Sequence, residues 1–389
     1  MRYARFAGLV LSLALLVTSL PGMAADPFEI DAVLSLTGPG SFLGKNEAAA
    51  IALVEQKVNK AGGIGGRPIK FVISDDQSSP QVAIQLTNNI IAKNPAIVLG
   101  SSLVAACNAM AAIMKNGPVL FCLSAGMHPE KGSYAFTYGI STYDLIGVTI
   151  RYFRDRGWKR LAIITSTDAS GQDGEKGIDQ ALAMPANKDM TVVAREHYAV
   201  ADVSVSAQMA HIKASAPQAV IAWGTGTPFG TVLHGAADVG LDVPMSGSAS
   251  NLTYAEMKQF GPFLPKVLDI AGLPCVALAS IPPGPLHKAV QEYVDAFMAT
   301  GVRPDVAQAI GWDPALITVA AYSKLGLNAT AAQIKDYISN LHGWAGANGE
   351  YDFRDGSQRG LTSKNGIMVR WDPAKETWVS VSKFGGAPL

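Results

Sequence analysis

Short apolar runs alternate with amphipathic stretches along most of the chain, and no other feature narrows the possible folds as much. Ile30–Leu36 reads as a buried strand, and Asn46–Lys60 as a helix with Ala50, Leu53, Val54 and Val58 on one face. Ile69–Ser74 is then a strand, Pro80–Lys93 a helix, Ala96–Leu99 a strand, Ala105–Lys115 a helix and Val119–Leu123 a strand. The rhythm restarts after Ser141. Helices are predicted over Leu145–Arg156, Gly174–Leu182, Val205–Ser215 and Thr231–Val239, and strands over Arg160–Thr165, Val192–His197 and Ala219–Trp223, with another opening at Met245. Such alternation marks parallel sheets with helices on both faces. Two runs of it predict two doubly wound α/β units with a cleft between them. The final third is less regular: helices over Leu286–Met298, Asp313–Leu325 and Ala331–Ser339, then strands over Tyr351–Phe353, Ile367–Trp371 and Trp378–Val381. Composition leaves open whether this third forms its own domain or returns to both units.

Charge balance excludes several function classes. The 389 residues carry 31 Lys+Arg against 31 Asp+Glu, with 49% hydrophobic and 16% charged residues. A chain this apolar can bury an ample core, and neutrality without any Lys/Arg run gives no footprint for nucleic acid. Residues 1–25 read as a cleaved secretory signal: basic Arg2 and Arg5, an apolar Leu9–Val17 core, and small residues Gly22, Ala24 and Ala25 near the cleavage point. The apolar run is too short for a membrane span, which needs about 20 residues. The expectation is an exported protein. Its three cysteines allow at most one internal bridge: Cys107 and Cys122 can pair, or all three, with Cys275, can remain buried thiols.

The usual catalytic motifs are missing from the sequence. Gly62-Gly63-Ile64-Gly65-Gly66 follows a helix and precedes a strand, the wrong order for a phosphate loop, so it reads as a helix stop and turn. There is no Gly-x-Ser-x-Gly elbow, no HExxH and no CxxC, and the six histidines are scattered. Asp75-Asp76 precedes a Ser/Pro turn and reads as a cap for the next helix. No enzyme, metal or cofactor is expected. What remains is a set of Gly/Ser/Thr-rich loops at the carboxyl ends of predicted strands: 37–43, 100–104, 124–128, 165–171, 224–227 and 246–251. Ligands of open α/β sheets bind at such ends, and helix N-termini there favour a carboxylate.

Ser35-Leu36-Thr37-Gly38-Pro39-Gly40, then Asn59-Lys60-Ala61-Gly62-Gly63-Ile64-Gly65-Gly66-Arg67-Pro68-Ile69, then Asp75-Asp76, and later Tyr351-Asp352-Phe353 give the chain a familiar outline. It resembles the periplasmic solute-binding proteins of branched-chain amino-acid ABC transporters over essentially all of its mature length. The resemblance implies the type I periplasmic binding protein fold, two doubly wound parallel-sheet lobes joined by three crossover segments. These fall near Gly139–Thr142, Ala271–Pro282 and Gly343–Gly349. Lobe one is then 26–140 plus 276–345, and lobe two 141–275 plus 346–389. It also implies hinge closure on a ligand, a monomer that delivers to a membrane permease, and a periplasmic location.

Departures from the family pattern bear on the ligand. The serine and threonine that hold an amino acid's charged groups in lobe one align with about Val104 and Gly126. The acid that pairs with the ammonium aligns with about Ser248, and two tyrosines align near Ser170 and Gly226. A buried ammonium left without its carboxylate costs roughly 3–5 kcal/mol. Asp168 is near enough in sequence to replace it. The expected ligand is therefore a small organic acid, an aromatic carboxylate such as a benzoate or phenylpropenoate, with a branched-chain or aliphatic amino acid as the alternative. A ligand-sensing regulatory protein would share the fold. Its carboxylate would meet amides around Val104, Ser124, Ala125 and Gly126, helped by Ser101 or Ser102, while Asp168, Ser170, Thr225 and Ser248 close from lobe two. Phe42, Gln308 and Trp312 are further candidates, in a pocket enlarged by the lost tyrosines.

Overall fold

The computed structural model describes residues 26–389, so the expected signal segment lies outside the described residues. The first unit runs β1 (Phe28–Leu34), α1 (Ser41–Lys60), β2 (Ile69–Asp75), α2 (Pro80–Ile91), β3 (Ile97–Gly100), α3 (Val104–Ile113), β4 (Val119–Cys122) and β5 (Ala135–Thr137). Its five strands are all parallel, in the order β2-β1-β3-β4-β5. The second unit runs α4 (Thr142–Asp155), β6 (Arg160–Ser166), α5 (Ala169–Leu182), β7 (Thr191–Tyr198), α6 (Ser206–Ala214), β8 (Ala219–Trp223), α7 (Pro228–Asp238) and β9 (Met245–Ser246). These strands are parallel in the order β7-β6-β8-β9. Val33, Val98 and Leu120, like Ile163 and Ile221, are fully or almost fully buried, because helices cover both faces of each sheet.

The final third returns to both units. After α8 (Tyr254–Phe260) and β10 (Asp269–Gly272), the chain enters α9 (Pro285–Met298), α10 (Val306–Leu325) and α11 (Ala331–Ser339). α10 packs along α1 in the first unit. A hairpin of β11 (His342–Ala345) and β12 (Glu350–Asp352) follows, then β13 (Ile367–Asp372) and β14 (Thr377–Ser380), which extend β10 into a small antiparallel sheet beside the second unit. The chain thus passes between the units three times. Asp313 anchors the turn between β11 and β12, which holds this hairpin on α10: it accepts from the amides of Ala347 and Asn348, from Asn348 Nδ2 and from the Tyr351 hydroxyl.

Three expectations need correcting. Residues 346–360, assigned to lobe two, lie on the first unit, so the third passage follows them rather than falling near Gly343–Gly349: Ala347 and Asn348 donate to Asp313 of α10, Phe353 packs against Phe121 and Phe136, and the Gln358 carbonyl accepts from the Thr137 amide. α10 starts at Val306 rather than Asp313. Its true start is a capping box between Asp305 and Gln308. Pro314, which resembles a first-turn proline in sequence, sits inside the helix instead. Asp75 and Asp76 do not cap α2, whose cap is Ser79. They tie the loops after β1 and β3 together, Asp75 accepting from Leu36 and Thr37, and Asp76 from the hydroxyls of Ser35 and Ser101.

Cys107 in α3 is bonded to Cys122 at the end of β4, and Cys275 is a buried free thiol. The two bonded cysteines are 15 residues apart. Closing a loop of that length stabilises a fold by about 3 kcal/mol in the chain-entropy picture. Replacing both with alanine is expected to lower the urea unfolding free energy by about 2–4 kcal/mol. An unchanged midpoint would show that packing alone holds these loops.

Candidate functional site

The strand order of each sheet reverses at one point, between β1 and β3 in the first and between β6 and β8 in the second. Crevices form at such points, beyond the carboxyl ends of the strands. Here the two crevices face each other and enclose a cavity of about 60 Å³. The first unit lines it with Ser102 and Val104 from the loop after β3, and Leu123, Ser124, Ala125 and Gly126 from the loop after β4. Leu43 from α1, Tyr138 after β5 and Ile310 from α10 complete that wall. The second unit contributes Thr142 and Leu145 from α4, Ser170 from α5, Trp223 and Thr225 around the end of β8, and Ser248, Ala249 and Ser250 after β9.

No charged side chain is among these lining residues; the polar side-chain groups are seven aliphatic hydroxyls, the Tyr138 phenol and the Trp223 indole N–H. Many are oriented by fixed partners. Ser170 and Thr225 share a hydrogen bond of 2.7 Å, and Ser248 donates to the Gly224 carbonyl at 2.7 Å. The Ser124 carbonyl accepts from Thr137, and the Ser124 amide donates to Cys122 Sγ. Ser102 Oγ accepts from the Ser35 amide and is hydrogen-bonded to Glu47 Oε2. The first amides of α3 have no side-chain cap, so their partial positive charge is directed at this region.

Charges stand behind the walls. Arg359 is 5% exposed and donates to the carbonyls of Met127 and Gly139, pinning the loop after β4 to the first crossover. Burial lowers its pKa to about 10, and Asp144 and Asp173 act on it from beyond ion-pair distance. Across the cleft, His128 Nε2 meets Asp173 Oδ1 at 2.7 Å and its ring stacks on Tyr143. Phe42 lies against Gly226, where an added Cβ would sit 3.0 Å from its ring. The two units are therefore in contact around the cavity.

Of the residues singled out from sequence, Ser102, Val104, Ser124, Ala125, Gly126, Ser170, Thr225 and Ser248 line the cavity. The others do not. Asp168 caps α5, accepting from the Gly171 amide and the Ser166 hydroxyl, so its charge is already committed. Ser101 turns inward to Asp76, Gln308 closes the α10 capping box and donates to Asn46, and Trp312 packs in the core on Tyr293 and Phe297. Phe42 stays at the rim of the contact between units. Nor is the pocket enlarged: about 60 Å³ is far below the roughly 300–1,000 Å³ of ordinary small-molecule sites. Trp223, Tyr138 and Leu43 add bulk to its walls. Trp223 can do so because Gly174 lies beneath it, where a Cβ would come within 2.3 Å of the indole.

Four buried carboxyls surround this region and the crossovers. Burial pushes Glu47 and Glu256 up to about 8, and Asp305 and Asp313 up to about 6. Each raised group makes the folded protein bind more protons than the unfolded chain between its ordinary pKa and its shifted one. Stability is then gained as pH falls through about 8 and again through about 6. The melting temperature is expected to rise by several degrees from pH 9 to pH 5.5, with Glu47→Gln flattening the upper part. A midpoint that falls over this range would contradict the assignment.

A family model described as periplasmic binding protein matches residues 28–376. The leucine-, isoleucine-, valine-, threonine- and alanine-binding protein of Pseudomonas aeruginosa is 24% identical over 229 residues, covering 58% of this chain and 61% of that protein. Among solved structures, a branched-chain amino acid transporter substrate-binding protein from Streptococcus pneumoniae, in complex with isoleucine, aligns with a TM-score of 0.77 at 18% identity. It covers 92% of this chain and 99% of that one. An ABC-transporter solute-binding protein from R. palustris, in complex with benzoate, also aligns at 0.77, with 19% identity, covering 94% of this chain and 98% of that one.

Proposed function

The chain belongs to the periplasmic binding protein family, and from that premise we propose that it is the substrate-binding component of an ABC importer for a small organic acid lacking an α-ammonium group. An aromatic carboxylate, a benzoate or phenylpropenoate, is the leading class. The observation that carries this reading is the cavity wall: seven hydroxyls, two aromatic rings, aliphatic side chains and no charge. An ammonium there would lose water and gain no carboxylate. A carboxylate would gain hydroxyl donors and the uncapped amides of α3, each helix end contributing about 0.3–1 kcal/mol and up to about 2 when partly buried.

Arg359 adds to this: it is a buried cation whose hydrogen bonds go to carbonyls, and it makes no ion pair among the described residues. Tyr138 and Trp223 offer faces for a flat ring. The ligand would enter as the units part, and their closure around it would present the form that a permease recognises. The mature protein would act in the periplasm, and no described helix is long and apolar enough to cross a membrane.

The isoleucine-bound neighbour and the Pseudomonas relative favour the second reading, an aliphatic amino acid. A thermal-shift and calorimetry screen separates the two. A ligand at 100 times its dissociation constant adds about 2.7 kcal/mol of stability. Benzoate or a phenylpropenoate is expected to give that shift while leucine and isoleucine do not. A shift with leucine or isoleucine alone would overturn the proposal.

A further inference from the structure

Resting on the carboxylate reading above, we propose that Glu47 is a positioning residue for ligand binding, which decides whether the Ser102 hydroxyl offers the cavity a hydrogen-bond donor or an acceptor. Glu47 lies on the inner face of α1 with no exposed surface and does not itself line the cavity. Ser102 does, and Ser102 Oγ is hydrogen-bonded to Glu47 Oε2. A serine hydroxyl has one proton to donate and two lone pairs. One lone pair of Ser102 is taken by the Ser35 amide at 3.3 Å.

The remaining choice follows the protonation state of Glu47. Its other oxygen, Oε1, is buried without a hydrogen-bond partner among the described residues. A proton placed on Oε1 would find no acceptor, so the neutral acid carries it on Oε2 and donates it to Ser102 Oγ. Both lone pairs of Ser102 are then filled, and its own O–H is left to point at a ligand oxygen. When Glu47 ionises, Ser102 must turn its proton back to Oε2. It then shows the cavity only a lone pair, backed by a negative charge, which repels a carboxylate.

The surroundings favour the neutral form. Asp76 faces Glu47 from the end of β2 as a like charge, already accepting from Ser35 Oγ, Ser101 Oγ and the Ser78 amide. Tyr138 faces it from beyond β5, and α10 presents Gly311 to the Glu47 backbone. No cation pairs with Glu47 among the described residues. Burial and Asp76 together raise its pKa to about 8, so the neutral acid prevails at pH 7 and the ion at pH 9.

Isothermal titration of benzoate and of a phenylpropenoate into the wild-type protein at pH 7 and pH 9 tests this. The dissociation constant is expected to weaken about tenfold at pH 9, with uptake of about one proton per ligand there, measured in buffers of different ionisation enthalpy. Glu47→Gln, whose amide donates to Ser102 as the neutral acid does, should bind at both pH values with no such slope. Glu256→Gln should keep the slope, since Glu256 titrates in the same range but accepts from Asn251 Nδ2 in either protonation state and touches no lining hydroxyl. Binding that is independent of pH, without proton uptake, or an unchanged slope in Glu47→Gln, would overturn the role of Glu47 and leave the carboxylate reading standing. If neither acid binds at either pH, the carboxylate reading falls and takes this inference with it.

Discussion

Parallel pairing of strands is the constraint on which the rest of this structure depends. A right-handed crossover brings every strand's carboxyl end, and the amino end of the helix that follows, to the same edge of its sheet. In both units that edge faces the cleft, and the order reversals at β1/β3 and β6/β8 open space between neighbouring loops there. The electrostatic character of the cavity follows from this geometry before any side chain is considered. Partial positive charge from amide groups accumulates at the cleft, while the helix carboxyl ends point away. A wall of hydroxyls can then serve an anion without a single lining arginine.

What shapes the wall lies behind it. Asp76 joins the loops after β1 and β3 through Ser35 and Ser101, and Arg359 fixes the loop after β4 through the Met127 carbonyl. The Cys107–Cys122 bond joins α3 to β4 just below Ser102 and Ser124. Asp313 performs the same service for the turn between β11 and β12. Buried ionisable groups carry a desolvation cost, and here each one organises several loop amides, carbonyls or hydroxyls in exchange. The chemistry presented to a ligand stays neutral while its geometry is set by charged groups it never touches.

This arrangement explains what was legible in the sequence. Periodicity located the strands of both sheets except the three-residue β5, because most are short, largely buried runs between turn residues, and the carboxyl-end rule then led to the loops that hold Ser102, Ser124, Gly126, Ser170, Thr225 and Ser248. It could not separate Ser101 from Ser102. Neighbouring residues in a loop point opposite ways, and only the partner across space, Asp76 for one and Glu47 for the other, distinguishes them. Asp168 looked like a free charge near the cleft, yet its N-cap role was readable from Ser166 and Gly171 at short range. Trp223 and Tyr138 were missed for a different reason. A strand-end aromatic reads as core in sequence, and its projection into a cavity depends on a glycine, Gly174, in another element.

A charge-free cleft also bears on how a carrier releases what it binds. A buried ion pair with a ligand resists opening, because separating it leaves both charges poorly solvated. Hydroxyl and amide contacts to a carboxylate contribute about 1.5–3 kcal/mol each and are replaced by water as soon as the units part. On the proposed reading, closure would supply much of the affinity, through contacts such as His128 with Asp173 and Phe42 with Gly226 that join the two units. Affinity built this way vanishes when the cleft opens, and a binding protein that hands its ligand to a permease requires that behaviour.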